Sequence, residues 1–334
     1  MEHSSSFVSV IVPCRNEEHF IAGCLDSIVA QDYPLDRLEV LVADGMSGDR
    51  TREIVAGYVL KYPFIRLIDN PDRVTPAALN TGIKNARGEI IVRVDAHAVF
   101  KEDYVSRCVE YLEKFAVDNV GGTMVSLSAN DTLVGRAIAA VLSSPFGVGN
   151  SIFRTGSEKP RFVDTVFGGC YRKQIFEKIG FFNENLIFSQ DIEFNLRLKK
   201  SGGKILLHPD IVSYYYVRSN MADFCRHNFR NGAWVIYPMK FVKGMPVSLR
   251  HLVPLSFVLS LVLFFALSFA HKVFLWPFLI IAGAYLCADI YHSAKIAAAK
   301  KDIKYLFVLP PVFAALHFTY GLGSLRGLAG LLCR

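Results

Sequence analysis

Several common ligand-binding signatures are missing from this sequence. The seven cysteines include no C-x-x-C pair, so neither a zinc site nor a disulfide framework is indicated. No G-x-x-x-x-G-K-S/T loop and no G-x-G-x-x-G loop follows the predicted strands, which disfavours P-loop kinases and dinucleotide-binding enzymes. The first residues carry no basic run, and residues 7–12 are too short for the apolar region of a secretory signal. We therefore expect reduced thiols and a cytosolic catalytic domain.

Apolar residues are abundant and unevenly distributed. They make up 52% of the 334 residues, and residues 252–325 are nearly all apolar. The net charge of +7 is compatible with a nucleic-acid partner, but five cations lie within residues 226–250 and four lysines within residues 295–304. Basic residues that flank apolar segments are typical of a membrane surface, so we expect a lipid bilayer and no nucleic acid as the partner.

The hydropathy pattern divides the chain. We predict a catalytic domain over residues 1–218, a basic and aromatic interfacial segment over 219–250, and a membrane domain over 251–334. Membrane spans are predicted over 252–270 and 273–291, because an uncharged helix of this length crosses a bilayer core. The third apolar stretch, 305–325, is interrupted by Pro310-Pro311 and either crosses the bilayer or only dips into it.

Apolar β-branched runs alternate with amphipathic helical patterns in the first hundred residues. The predicted strands are 8–12, 39–43, 65–68 and 90–94. Thr75 is the predicted N-cap of the third helix, with Pro76 as its first residue. This alternation predicts an α/β fold with a mostly parallel sheet and helices on both faces.

Polar loops follow the first, second and fourth of these strands. They contain Arg15, Asn16, Glu17, Asp44, Asp49, Asp95 and His97. The carboxyl ends of parallel strands share one edge of the sheet, where open α/β sheets bind their ligands. Asp95 and His97 are two residues apart and are both metal-ligand types, so they are a candidate metal site. The alternatives are a turn-capping Asp and a histidine that caps or stacks.

Five motifs occur in the order seen in one enzyme family. They are Val12-Pro13-Cys14-Arg15-Asn16-Glu17-Glu18, Ala43-Asp44-Gly45-Met46-Ser47-Gly48-Asp49-Arg50-Thr51, Val94-Asp95-Ala96-His97, Phe167-Gly168-Gly169-Cys170-Tyr171-Arg172 and Ser189-Gln190-Asp191-Ile192-Glu193. The set resembles family 2 inverting glycosyltransferases over roughly the first 235 residues, most of all bacterial exopolysaccharide transferases of the succinoglycan ExoA type. The resemblance implies a GT-A fold (Rossmann-like), a nucleoside diphosphate sugar donor and a divalent metal.

The resemblance also implies roles for single residues. Asp44 would hold the nucleobase, with Pro13, Arg15, Asn16 and Glu17 nearby. Asp95 would bind the metal of the donor diphosphate. The family's metal motif is usually D-x-D and here ends in His97, which shifts the expected preference from Mg²⁺ toward Mn²⁺.

The same resemblance makes Asp191 the expected catalytic base, with Glu193 as the runner-up. Without the motif, a carboxylate in the first turn of a helix is ordinary complementation of the helix dipole.

Other candidates keep two interpretations each. Gly168 and Gly169 either approach the donor or acceptor sugar or form a tight turn. Asp164 either contacts sugar hydroxyls or belongs to an edge strand, and His208 is expected to be structural. A last group binds the phosphates of the donor or of a lipid carrier, or anchors the chain at the membrane: Arg218, Arg226, Arg230 and Trp234.

We therefore predict a glycosyltransferase of the bacterial inner membrane with its catalytic domain in the cytosol. It would move one sugar from a nucleoside diphosphate sugar, with a UDP-sugar expected, to a polyprenyl diphosphate-linked saccharide in exopolysaccharide biosynthesis. The alternatives are a polyprenyl phosphate sugar transferase and a catalytically silent, nucleotide-binding scaffold, against which Asp191 argues. The oligomeric state is not predicted.

Overall fold

The computed structural model describes residues 6–240 and 249–332, so Cys333, Arg334 and part of the predicted interfacial segment lie outside it. The strands are β1 (Val8–Cys14), β2 (Leu38–Asp44), β3 (Ile65–Asp69), β4 (Ile90–Arg93), β5 (Ala98–Phe100), β6 (Asn119–Ser128), β7 (Arg161–Phe162), β8 (Cys170–Arg172) and β9 (Ile205–Val217).

Helices alternate with the early strands and make up most of the chain after residue 217. They are α1 (Ile21–Val29), α2 (Thr51–Lys61), α3 (Thr75–Asn85), α4 (Tyr104–Lys114), α5 (Leu133–Leu142), α6 (Pro145–Val148), α7 (Ile152–Thr155), α8 (Gln174–Ile179), α9 (Gln190–Lys200), α10 (Met221–Ile236), α11 (Val253–Ala270), α12 (Leu275–Lys300) and α13 (Lys304–Leu332).

The chain forms two compact units. The first contains Met1–Val125 and Gly156–Tyr215, and the second contains Ser126–Thr155 and Tyr216–Arg334. The segment of α5 to α7 thus belongs with the C-terminal helices, whereas the sequence placed it in the catalytic domain. The predicted domain boundaries stay a prediction.

The sheet of the first unit is mixed. Its described strands follow the order β3-β2-β1-β4-β8-β6-β9-β5, with β7 beside β9. The first four strands in this order are parallel, as predicted, and β1 is buried along its whole length because helices cover both faces. β8 is antiparallel to β4 and β6, and β9 is antiparallel to β5 and β7. The α/β class is confirmed, with an antiparallel half added to the parallel one.

The predicted elements need small adjustments. α3 begins at Thr75, and its N-cap is Val74 in an extended conformation, so the predicted cap was one residue late. The first helix buries the predicted face with Ile21, Leu25 and Ile28 against the sheet.

A buried carboxylate stabilises the amino-terminal edge of the parallel strands. The Glu39 side chain is fully buried on β2 and accepts hydrogen bonds from Ser9 Oγ, at 2.5 Å, and from Arg87 N and Nε, at 2.6 and 3.0 Å. Burial alone would raise the pKa of Glu39, but these bonds more than offset it and lower the pKa. These hydrogen bonds lie at the opposite end of the strands from the polar loops, so the role of Glu39 is structural.

The second unit contains three helices that are long and apolar enough to cross a membrane: Arg250–Ala270, Lys272–Lys300 and Lys304–Leu331. The second runs past the predicted end at residue 291, because residues 294–300 are mostly alanine and lysine, which favour helix. The predicted interruption at Pro310-Pro311 does not occur, since α13 is continuous through both prolines. Apolar membrane helices tolerate prolines when neighbouring groups compensate the lost hydrogen bonds.

Helix α10 packs closely along α13. A Cβ atom added to Gly232 would lie 2.0 Å from Tyr320 O, and Ser324 Oγ donates to Gly232 O at 3.1 Å. The opposite face of α10 exposes Arg226 and Arg230, four residues apart. The helix is therefore amphipathic, with the face that contains Gly232 packed on α13 and a basic face outside.

Candidate active site

The loops that follow β1 and β2 are held together by hydrogen bonds. Asn16 adopts a left-handed backbone conformation with φ of 55°. Its N–H donates to Ser47 Oγ at 2.9 Å, and its Oδ1 accepts from Gly48 N at 2.9 Å. Glu17 N donates to Thr51 Oγ1 at 2.7 Å. The predicted loops thus form one surface at the carboxyl edge of the sheet.

Asp44 lies at the base of this surface and is fully buried. Its Oδ2 accepts from Arg52 Nη1 at 2.7 Å and from Ser47 N at 3.0 Å, and its Oδ1 accepts from Ser47 Oγ and from the Cys14 thiol. Burial and the neighbouring Asp44 raise the pKa of Cys14, so the thiol stays a donor. Asp44 is therefore turned inward, and its contact with a nucleobase stays a prediction.

Two further loop residues differ in exposure. Pro13 is buried within β1, whereas Arg15 is exposed and its stem lies over Gly45, where an added Cβ would be 3.1 Å from Arg15 Cβ. Arg52 extends the surface, because its Nη2 donates to Asp69 Oδ1 at 2.7 Å at the end of β3. An exposed cation and an Arg–Asp pair thus flank the edge beside Asp44.

Asp95 is paired with a buried arginine. Arg93 Nε and Nη2 both donate to Asp95 Oδ1, at 3.2 and 3.1 Å. The Asp95 side chain keeps 17% exposure, and its Oδ2 accepts no hydrogen bond from a residue within 6–240 or 249–332. Arg93 thus orients one oxygen of Asp95, and the other oxygen has no hydrogen-bond donor among the described residues.

Both ring nitrogens of His97 are occupied. Nδ1 lies 3.1 Å from Glu17 Oε1, and Nε2 lies 2.8 Å from Tyr215 OH. Burial would lower the pKa of His97, but Tyr215, Glu17 and Asp95 around the ring raise it to about 10. A metal can bind this imidazole only if one hydrogen bond is released, so the metal role of His97 stays a prediction that this arrangement does not support.

The free oxygen of Asp95 decides whether a divalent metal fits here. In the described part of the chain, no three His, Cys, Asp or Glu side chains converge as a complete metal site. Mg²⁺ and similar ions at phosphate sites are commonly held by one or two carboxylates together with substrate phosphates. A single carboxylate oxygen without a hydrogen-bond donor among the described residues therefore fits a metal that is bound jointly with a diphosphate.

Asp191 and Glu193 occupy the first turn of α9, but in different states. Glu193 is buried and forms a two-point ion pair with Arg197, with distances of 2.6 Å to Nε and 3.0 Å to Nη2. Asp191 is half-buried and accepts no hydrogen bond from the described residues. Only Asp191 therefore has a carboxylate available to take a proton from a bound molecule.

Gly168 and Gly169 form a tight turn against β4. Their φ angles are +65° and +101°, and an added Cβ would lie 2.7 Å from Arg93 O at Gly168 and 2.6 Å from the Tyr171 ring at Gly169. Arg93 N donates to Gly169 O at 2.9 Å. The turn interpretation therefore accounts for both glycines, and contact with a sugar stays a prediction.

The remaining candidates have other contacts or belong to the second unit. Asp164 forms an exposed ion pair with Lys199, and His208 stacks on Tyr111 with ring centres 3.6 Å apart, as expected of a structural histidine. Four residues belong to the second unit and are located by its helix α10 and the preceding loop: Arg218, Arg226, Arg230 and Trp234. Arg226 pairs with Asp223, and Trp234 packs edge-on against Tyr237.

Sequence reasoning missed Arg93, Arg52 and Tyr215. Arg93 had a visible signal, because it is the only charge in the predicted apolar strand 90–94, and a buried charge requires a partner. Arg52 and Tyr215 gave no such signal, since each reaches the site through tertiary contacts.

Comparison with known proteins shows the family to which this α/β chain belongs. The model of glycosyl transferase family 2 matches residues 9–180, more than half of the chain. The chain therefore belongs to glycosyltransferase family 2.

Two curated relatives cover most of the chain. One, from Methanococcus voltae, is the dolichyl N-acetyl-alpha-D-glucosaminyl phosphate 3-beta-D-2,3-diacetamido-2,3-dideoxy-beta-D-glucuronosyltransferase, 35% identical over 68% of this chain and 72% of the relative. The succinoglycan biosynthesis protein ExoA of Rhizobium meliloti is 28% identical over 76% of each chain. The expected similarity to ExoA is confirmed.

One solved structure shows the fold. The mannosyltransferase PcManGT from Pyrobaculum calidifontis, in complex with GDP-Man and Mn²⁺, aligns with a TM-score of 0.63 and 21% identity, over 97% of this chain and 88% of that one. The likeness confirms the GT-A fold.

Proposed function

We propose that this chain moves one sugar from a nucleoside diphosphate sugar, with a UDP-sugar expected, to a polyprenyl diphosphate-linked saccharide in exopolysaccharide biosynthesis. The observation that carries the proposal is that Asp191 and one oxygen of Asp95, both in the first unit, have no hydrogen-bond donor among the described residues. Transfer of a glycosyl group needs a base for the acceptor hydroxyl and charge neutralisation on the departing diphosphate.

The reaction is a single displacement with inversion. The acceptor oxygen forms a bond to the anomeric carbon while the bond from that carbon to the phosphate oxygen breaks. The bonding electrons leave with the nucleoside diphosphate, and the acceptor proton goes to the Asp191 carboxylate. Asp95 would hold a divalent metal, Mn²⁺ or Mg²⁺, which when bound neutralises charge on the diphosphate.

A lipid-linked acceptor is supported by two observations. Three helices of the second unit are long and apolar enough to cross a membrane. The relative from Methanococcus voltae is named for a dolichyl-linked acceptor, and ExoA for succinoglycan biosynthesis. We infer attachment to the bacterial inner membrane with the first unit in the cytosol, where nucleotide sugars are made.

The proposal is tested by comparing two carboxylates two residues apart. Purified full-length protein in detergent is incubated with Mn²⁺, polyprenyl diphosphate-linked saccharides and UDP-glucose, UDP-galactose or UDP-N-acetylglucosamine. Asp191→Asn keeps the shape of the side chain and removes its basicity, so turnover should fall by about 10² to 10⁴. Glu193→Gln is the matched control, since Glu193 is bound by Arg197.

The control should lose thermal stability and keep turnover within tenfold of the wild type. Undiminished transfer by Asp191→Asn would contradict the assignment of the base. Faster transfer to bare polyprenyl phosphate than to the linked saccharide would favour the polyprenyl phosphate transferase instead.

A further inference from the structure

Arg93 is a buried cation at the carboxyl end of β4. Its residue exposure is 8%, and both Nε and Nη2 donate to Asp95 Oδ1. A buried charge is stable only when it is paired and hydrogen-bonded. The arginine therefore fixes the orientation of Asp95 and leaves its second carboxylate oxygen without a hydrogen-bond donor among the described residues.

Arg93 is paired in the sheet with the turn that precedes β8. Ile91 lies opposite Tyr171 in the antiparallel pair, and Arg93 N bonds to Gly169 O, so Arg93 and Tyr171 share one face of the sheet. Gly169 has no side chain between them, and an added Cβ there would reach the Tyr171 ring. The glycine thus opens the space that the arginine and tyrosine side chains occupy.

Tyr171 connects this space to the helix that carries Asp191. Tyr171 OH lies 3.5 Å from Asn195 Oδ1, and Asn195 is one turn after Asp191 on the same face of α9. The Tyr171 ring also packs edge-on against Phe194 of α9, with ring centres 5.6 Å apart. Helix α9 therefore covers the sheet face that Arg93 and Tyr171 share.

We propose that Arg93, on the sheet face covered by the helix that carries Asp191, is a positioning residue that holds Asp95 by one carboxylate oxygen and leaves the other oxygen for the metal of the donor diphosphate. The inference rests on the proposed function and extends it to a residue outside the five family-like motifs. Arg93 is not a catalytic residue, because both of its side-chain hydrogen bonds are made to Asp95. A lysine cannot replace Arg93, because its ammonium group lacks the planar arrangement of several donors that the guanidinium group has.

The test measures binding as well as turnover. Binding of UDP and of GDP in the presence of Mn²⁺ is measured by calorimetry for the full-length wild type, Arg93→Met and Arg93→Lys. Residues that orient a metal-binding group typically change affinity or activity by about 10- to 100-fold when replaced. We expect Arg93→Met to lose about 100-fold in nucleotide affinity and in kcat, and Arg93→Lys about 10-fold in each.

Arg172→Met is the matched control, since Arg172 lies on neighbouring β8 and donates from Nη2 to Leu112 O at 3.1 Å. It should lower the thermal midpoint without changing nucleotide affinity. If Arg93→Met does not fold, the nucleotide affinity and turnover of Arg93→Lys, which retains the charge, test the inference alone.

Two results overturn the inference. One is that Arg93→Lys and any folded Arg93→Met bind nucleotide with Mn²⁺ and turn over within twofold of the wild type. The other is that the losses of nucleotide affinity and turnover in the Arg93 variants are explained by their lower thermal midpoints, because Arg172→Met shows the same loss for the same fall in midpoint. Failure of the proposed function looks different: the wild type then binds nucleotide with Mn²⁺ and transfers no sugar, while the Arg93 variants still lose binding. A wild type that binds neither nucleotide contradicts both.

Discussion

Gly169 should be far less tolerant of a side chain than its backbone angle alone implies. Its φ of +101° is a conformation that L-residues rarely adopt, and the Gly169→Ala methyl group would lie 2.6 Å from the Tyr171 ring. Backbone strain of this kind costs about 1–3 kcal/mol. Overpacking a tight interior adds about 1–3 kcal/mol more.

Gly202 separates the two contributions. Its φ is +86°, close to that of Gly169, but no atom lies within 4 Å of an added Cβ. Gly202→Ala should therefore cost only the strain. Gly169→Ala should be less stable than Gly202→Ala by about 2 kcal/mol, the midpoint of the overpacking contribution.

The assay is thermal unfolding of the full-length protein in detergent, followed by circular dichroism. For a domain of this size, about 2 kcal/mol corresponds to a difference of roughly 4–8 °C in Tm. Equal losses for the two variants would refute the argument that Gly169 clears space for the side chains of Tyr171 and Arg93.

Three further predictions concern other buried groups. Glu39→Gln should cost about 2 kcal/mol at pH 7, because hydrogen bonds to a charged partner contribute about 1.5–3 kcal/mol each. The pKa of Glu39 is lowered from 4.5, so this stabilisation is present above pH 4.5. The difference in Tm between the variant and the wild type should therefore narrow as the pH falls below that value. A difference in Tm that does not depend on pH would contradict this prediction. Arg52→Ala should weaken UDP binding about 10-fold by releasing the buried Asp44 carboxylate, and calorimetry showing unchanged affinity would count against it. His97→Gln should lower the Tm and leave the ratio of turnover with Mn²⁺ to turnover with Mg²⁺ unchanged, whereas a lost Mn²⁺ preference would assign His97 to the metal.

The parallel half of the sheet was predictable because its signals are local. The runs that became β1 to β4 are apolar and β-branched, and each of the first three is followed by a helix. Parallel order then places the loops with Asn16, Asp44 and Asp95 at one edge, as found. The antiparallel strands β5 to β9 have between two and thirteen residues, and their pairing depends on contacts far apart in sequence.

The sequence predicts the acidic residues of the site but not the side chains that form hydrogen bonds with them. Asp95 and Asp191 follow from motifs, but the sequence does not show that Glu193 is taken by Arg197 or that both nitrogens of His97 are bonded. These states depend on where side chains from distant segments meet. The inward orientation of Asp44 has the same origin, since Arg52 reaches it from the following helix.

The central claim is transfer of one sugar to a lipid-linked saccharide, and the mass of the lipid product tests it most directly. Full-length protein is incubated with Mn²⁺, labelled nucleotide sugars and a polyprenyl diphosphate-linked saccharide, and the lipid fraction is weighed by mass spectrometry. We predict a product one sugar residue heavier, formed by the wild type and nearly absent with Asp191→Asn. An unchanged lipid in the presence of a bound and unconsumed nucleotide sugar would contradict the account.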